Sequence, residues 1–162
     1  MRPVYAKCLN AWESSKDFVV AGEQAAAYVE GFYEQDGRWH PDDHMNVAHP
    51  ICRWFVALAR GDARGLDMRD VAFSVLVVTH ESGHLRGWDK RTLVSDSEAS
   101  TQRWALRHVY AVAKRIGLSN AAAVLVLRYA VQSHMRLPAA YHAADCQRPY
   151  VTPEGRLEGC GP

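Results

Sequence analysis

The chain lacks any hydrophobic run long enough to cross a bilayer. A transmembrane helix needs about 20 consecutive apolar residues, and the most apolar stretch, Val71–Val78, is far shorter. It also lacks a signal-peptide-like apolar core near its start, because polar residues interrupt Cys8–Asp17. That absence by itself predicts a cytoplasmic protein. An excess of either charge is missing too. A formal net charge of +1 gives no electrostatic footprint for nucleic acid or an anionic membrane. There is no CxxC pair, which argues against a cysteine-ligated zinc site. Internal repeats and low-complexity tracts are absent, so neither a solenoid nor a disordered tail is indicated.

What is present is an ordinary globular composition. With 162 residues, 48% apolar and 23% charged, the chain suits one domain with a real core. Four cysteines (Cys8, Cys52, Cys146 and Cys160) are widely spaced. They permit two disulfides in three connectivities, which leaves an extracytoplasmic location open beside the cytoplasmic expectation. Four buried free thiols are the alternative.

The segment that carries chemistry is His80-Glu81-Ser82-Gly83-His84, an HExxH pattern closing the apolar run. On an α-helix, residues four apart share a face. His80 and His84 can then hold one zinc ion from one side, while Glu81, about 100° round the helix, stands near a zinc-activated water as general base. Burying two histidines and a glutamate is costly unless something satisfies them, and a metal ion does so. Structural histidines in a chance pattern are the bland alternative.

Catalytic zinc sites carry three protein ligands and one open position. Glu98 is the best third ligand. Positions 98, 102, 105, 109, 112 and 116 read Glu, Gln, Ala, Val, Val and Ile, a single helical stripe that places Glu98 and Gln102 on a core-facing side. The competing reading is an exposed first-turn glutamate favoured by the helix dipole.

HExxH followed by a second helix bearing Glu98-Ala99, with the hydrogen-bonding residue Gln102 four positions on, resembles the gluzincin metallopeptidases of the thermolysin-like clan. It is also similar to small bacterial HExxH proteins. The resemblance spans roughly residues 46–145, and its specific part is confined to 80–102. It implies a minimal zincin-like domain in which His80, His84 and Glu98 bind zinc, Glu81 is the base and the substrate is a protein or peptide. It implies that Gln102 supports His80, although the family usually has an aspartate at that place. The thirteen residues between His84 and Glu98 are fewer than in larger members. Those members stabilise the oxyanion with a later histidine or tyrosine, and Tyr129, His134 and Tyr141 lie in the corresponding region. Packing roles are the simpler reading of all three.

Element signals give a mainly α (α+β) fold with a short edge strand or small sheet. Residues 1–45 are the least legible. Glu23–Tyr33 is predicted as a short helix and Gln35–His44 as a turn-rich loop. His40 and His44 have HxxxH spacing, but Pro41 opposes helical alignment, which favours an exposed loop over a second metal site. Met45–Ala48 is predicted as a short strand. The zincin resemblance would have that strand line the cleft and pair with extended substrate. Helices are predicted over 51–60, after Pro50 and stopped by Gly61; over 68–85, capped by Asp67 and stopped by Gly87; from Glu98, capped by Asp96 or Ser97, to near Gly117; and over 120–135, capped by Ser119. Val75–Val78 alone would read as a strand. The domain is expected over 46–145, with an irregular, Pro- and Gly-rich tail over 146–162.

Three function classes follow: a zinc peptidase, a catalytically inactive zinc-binding module acting in binding or regulation, and a plain helical domain. An intact Glu81 favours the first over the second, because binding metal does not require it.

Overall fold

A computed structural model describes residues 5–10, 19–20, 23–24, 26–33, 39–62, 65–86 and 97–161. Among these, four α-helices dominate: α1 (His49–Ala59), α2 (Met68–Arg86), α3 (Glu98–Arg115) and α4 (Asn120–His134). A three-stranded sheet of β1 (Tyr5–Cys8), β4 (Ala27–Tyr33) and β5 (Trp39–Val47) precedes them, with the short ribbon β2 (Val19–Val20) and β3 (Glu23–Gln24) between β1 and β4. The mainly α (α+β) class is therefore the observed one.

The helices begin where their capping residues stand. Asp67 Oδ1 accepts from Arg69 N at 2.8 Å, Ser97 Oγ from Ser100 N at 3.4 Å and Ser119 Oγ from Ala122 N at 3.2 Å. Gly61 and Gly117 take the positive φ that follows a helix end (72° and 93°). The expected stop at Gly87 and the alternative cap Asp96 lie outside the described residues.

Helix α2 is the centre of the molecule. One side, carrying Val71, Ala72, Val75 and Leu76, packs with Ala105, Leu106 and Val109 of α3 and Val126, Leu127 and Ala130 of α4. Its other side, carrying Phe73, Val77, Val78 and Leu85, meets Met45 and Val47 of the sheet and Ile51 and Cys52 of α1. A helix buried on both sides is apolar all round, which is why Val75–Val78 imitates a strand in the sequence. The hydroxyls on this helix are returned to its own backbone, Thr79 Oγ1 donating to Val75 O at 2.6 Å and Ser82 Oγ to Val78 O at 2.7 Å.

The N-terminal expectations need correction. Glu23–Tyr33 is not helical: it contributes β3 and β4, and β4 runs antiparallel to β5. Ala-Tyr-Val-Glu-Gly-Phe-Tyr is rich in residues that favour a pleated surface, and pairing with β5 overrides any helical tendency. The supposed loop 35–44 is strand from Trp39 onward. Pro41 is tolerated because it lies opposite Gly31 beside a register shift and ahead of the β1 pairing, which begins at His44. On an extended strand the Cα atoms of His40 and His44 are about 13 Å apart, too far for a shared ion. Met45–Val47 is indeed strand, but it is central, bonded to β1 on one side and β4 on the other. It has no free edge to offer a substrate.

Two disulfides select one of the three connectivities: Cys8–Cys52, tying β1 to α1, and Cys146–Cys160. The second refines the expectation of an irregular tail. Residues 143–161 form an ordered clip in which β6 (Tyr150–Val151) pairs antiparallel with β7 (Leu157–Glu158). Asp145 pairs with Arg103 of α3, and Arg107 Nη1 donates to Gly161 O at 3.2 Å. Val151, Leu157 and Cys160 pack on the main core. The disulfide and the side chains of Val151 and Leu157 fix a segment whose backbone is otherwise mostly turns and bends. No helix among the described residues is long and apolar enough to cross a membrane.

Candidate metal centre

The last two turns of α2 and the first two of α3 build the site. His80 and His84 stand one turn apart on α2, with ring centroids 4.9 Å apart. Glu98, in the first turn of α3, reaches both: its Oε2 is 2.9 Å from His80 Nε2 and its Oε1 is 3.6 Å from His84 Nε2. The two Nε2 atoms are 3.1 Å apart. One ligand atom from each residue falls within a 4.8 Å cluster, the one such His/Cys/Asp/Glu group among the described residues.

These residues fit a metal ion. A tetrahedral ion bound at about 2.0–2.1 Å sets its ligand atoms about 3.3–3.4 Å from one another, and the 3.1 Å between the two Nε2 atoms and the 2.9 Å from His80 Nε2 to Glu98 Oε2 lie close to that value. Two imidazole nitrogens and a carboxylate facing one another need something positive between them. A bound cation would supply it. Glu98 is half-buried, its side chain 43% exposed, so the cluster opens to solvent on the Glu98 side. The His80 and then the His84 ring nitrogens beside it hold the Glu98 carboxyl well below the usual carboxylate range, against a smaller opposing effect of burial. It is therefore ionised and ready to ligate.

Glu81 is buried beside the pair. Burial raises its carboxyl above the ordinary value. The neighbouring His80 and His84 oppose this shift, and Glu98 adds to it. A carboxylate moved upward in this way is a better proton acceptor near neutral pH.

Support comes from α3. His80 Nδ1 lies 2.8 Å from Gln102 Oε1, so the ring donates outward to the amide and turns Nε2 to the site. Sequence reading missed Thr101, whose Oγ1 is 3.5 Å from His84 Nδ1. It also missed Gly83, where a Cβ would stand 2.8 Å from Thr101 Cγ2 and 3.0 Å from Trp104 Cε3. The bare glycine lets α3 approach α2 at this level. A glycine inside a helix was the available signal.

The three expected oxyanion donors separate. Tyr141, in a 3₁₀ turn over Ala139–Tyr141, has its ring 5.7 Å from that of His80 and is part-exposed. Tyr129 packs its ring under the Arg69 guanidinium, 5.5 Å from centroid to Cζ. Arg69 precedes His80 by eleven residues of α2, about 16 Å, so Tyr129 is remote from the site. His134 is 0% exposed, bonds Cys146 O through Nε2 at 3.3 Å and stacks on His142 at 4.5 Å. A side chain so enclosed has no access to a substrate. His108 is bonded within its own helix, its Nδ1 donating to Trp104 O at 2.8 Å.

No protein-family model, no curated protein and no solved structure matches the chain. The chemistry of the centre therefore rests on its own geometry.

Proposed function

We propose that this protein is a zinc-dependent metallopeptidase of gluzincin type. The observation that carries the reading is the convergence of His80 Nε2, His84 Nε2 and a Glu98 carboxylate oxygen within 4.8 Å, next to a buried glutamate that need not be a ligand. Two nitrogens and one oxygen in a half-open cluster suit zinc, with a position left for a reactant. Bound zinc would supply Lewis-acid polarisation of a scissile carbonyl and activation of a water.

The chain's own groups do the rest. His80 and His84 present their Nε2 lone pairs, and Glu98 brings the negative charge that balances part of the cation. Glu81 takes the proton of the attacking water on its carboxylate and returns it to the leaving amine nitrogen. Tyr141, beside His80, is the candidate donor to the developing oxyanion. The substrate class is a protein or peptide. The two disulfides support an oxidising compartment.

One observation favours a second reading, a zinc-binding module without peptidase activity. Gln102 supports His80 with a neutral amide where the resembling family uses a carboxylate, and a neutral partner raises ligand basicity less. The experiment that separates the readings measures zinc per chain by elemental mass spectrometry and hydrolysis of a quenched-fluorescent peptide library. Wild type, Glu81→Gln and His84→Ala are compared. The peptidase reading expects about one zinc per chain and activity in wild type. It expects zinc without activity in Glu81→Gln and neither in His84→Ala. Zinc without hydrolysis in wild type would support the binding module, and hydrolysis undiminished in Glu81→Gln would refute the mechanism.

A further inference from the structure

Thr101 is fully buried on α3, and its neighbours on the buried side include Ala105 and Leu106. Valine has almost the same shape and would fill the place without burying a hydroxyl, which costs free energy unless the group is bonded. The hydroxyl is not orphaned here: the buried side-chain atoms without a partner are Gln102 Nε2 and His134 Nδ1. Thr101 Oγ1 instead faces His84 Nδ1 at 3.5 Å, while the next residue turns Gln102 Oε1 to His80 Nδ1 at 2.8 Å. Adjacent residues of one helix thus place an oxygen against the outer nitrogen of each imidazole, and the two inner Nε2 atoms converge at 3.1 Å.

We propose that Thr101 is a positioning residue for the metal centre: its hydroxyl accepts from His84 Nδ1–H, fixing the ring as the Nδ1–H tautomer so that Nε2 offers its lone pair to the cation. This rests on reading His80, His84 and Glu98 as metal ligands. A neutral imidazole has one lone pair, and which nitrogen carries it is decided by what the other nitrogen bonds. Without an acceptor at Nδ1, the proton is free to move to Nε2 and block ligation. Gly83 belongs to the same device. Its missing Cβ admits the Thr101 methyl, which sets how closely the hydroxyl can approach His84. One turn of α3 therefore delivers a ligand, Glu98, and an orienting acceptor for each histidine.

The test uses the full chain with uniformly ¹⁵N-labelled histidine, as wild type, Thr101→Val and Thr101→Ser. Long-range ¹H–¹⁵N spectra of the metal-free proteins at one fixed pH report the His84 tautomer. Chelator-competition titration with zinc reports affinity, and near-ultraviolet circular dichroism confirms that each variant is folded. Wild type and Thr101→Ser are expected to show the Nδ1–H form at His84. Thr101→Val should shift towards Nε2–H and bind zinc at least ~10-fold more weakly, with Thr101→Ser restoring most of the loss. If Thr101→Val keeps the wild-type tautomer, or binds zinc as tightly as wild type, the positioning role is wrong. If wild type binds no zinc while the tautomer pattern is as expected, the metal reading fails and the Thr101–His84 contact stands. Thr101→Ser keeps the test decisive should the valine variant misfold, because a serine that retains the tautomer but binds zinc ~10-fold or more below wild type would also overturn the proposal.

Discussion

His80 and Gln102 meet through one hydrogen bond of 2.8 Å, and the other half of the Gln102 amide, Nε2, is buried without a partner among the described residues. The two facts have one origin. An imidazole whose Nε2 serves the metal must donate from Nδ1, so the amide has to present oxygen to it and leave its nitrogen behind. An aspartate or glutamate in that place would have no surplus donor. The uncompensated amide nitrogen marks how strongly the site demands an acceptor at this point.

Removing the groups one at a time should rank them. Glu98→Ala and His84→Ala are expected to lose stoichiometric zinc, whereas Gln102→Ala should weaken binding by about 10–100-fold and remain loadable. Competition titration against a chelator of known affinity measures all three. Equal losses in Glu98→Ala and Gln102→Ala would mean that Glu98 is not a ligand.

The metal-free protein should lose stability as it is acidified, in two windows. Burial chiefly holds the His134 ring below its ordinary 6.5; the bond to Cys146 O opposes this and His142 adds to it. Below about 6.5 the unfolded chain takes up a proton that the folded one refuses. The contribution of the neutral ring is thus present above 6.5 and lost as pH falls through the folded value. Glu98, with its lowered carboxyl, contributes above 4.5 and loses that contribution at lower pH. Glu81 has the opposite sign: its raised carboxyl favours the fold at low pH and is a liability above its folded value. Urea melts at pH 7.5, 6.5 and 5.5 on wild type and His134→Gln test the upper window. A wild-type midpoint that falls with acid no faster than that of His134→Gln would remove His134 as the cause.

Each disulfide should be worth a measurable share of stability. Cys8–Cys52 closes 44 residues and Cys146–Cys160 closes 14. Loop-closure entropy alone then gives about 4 and about 3 kcal/mol. Paired Cys→Ala variants, compared by denaturant midpoint, should keep that order. The 146–160 pair should disturb metal binding more, because its segment lies against α3 through Arg103 and Asp145. A larger loss of zinc affinity in the 8–52 variant would contradict this.

Gly83→Ala should damage the centre without touching a ligand. Its methyl would be driven into Thr101 and Trp104, an overpacking of about 1–3 kcal/mol. Thermal melting of the metal-free protein measures that loss, and zinc affinity should fall with it. A destabilised variant that kept full zinc affinity would show that the ligands tolerate a wider gap between α2 and α3.

The sequence carried the helices well because three of the four begin at a capping side chain and the first begins with Pro50 in its first turn. It carried the sheet poorly. In β4 and β5 the decisive interaction is pairing between residues up to twenty apart, such as Ala27 with Val47, and no local preference records it. The convergence of His80, His84 and Glu98 was legible because their types and spacings have a specific chemical use. Thr101 was not, because a threonine within a helix has many uses and its neighbour across the interface is known only from packing. Tyr141 could be separated from Tyr129 and His134 only by position, since all three follow the second helix at plausible distances. The tail is irregular apart from one short ribbon, and what the composition did not reveal is the disulfide that closes it.

Residues 80–84 and 98–102 contain the three candidate ligands, the proposed base and the oxygens that face both histidines, so the whole cluster depends on the register of a single helix pair. Rotating α3 by one residue, about 100°, would carry Glu98, Thr101 and Gln102 away from the histidines together. Occupancy of the centre is then a gauge of that register. If the cluster holds an ion as proposed, anything that slides or turns α3 against α2 would be read out as its release, before any loss of helix content.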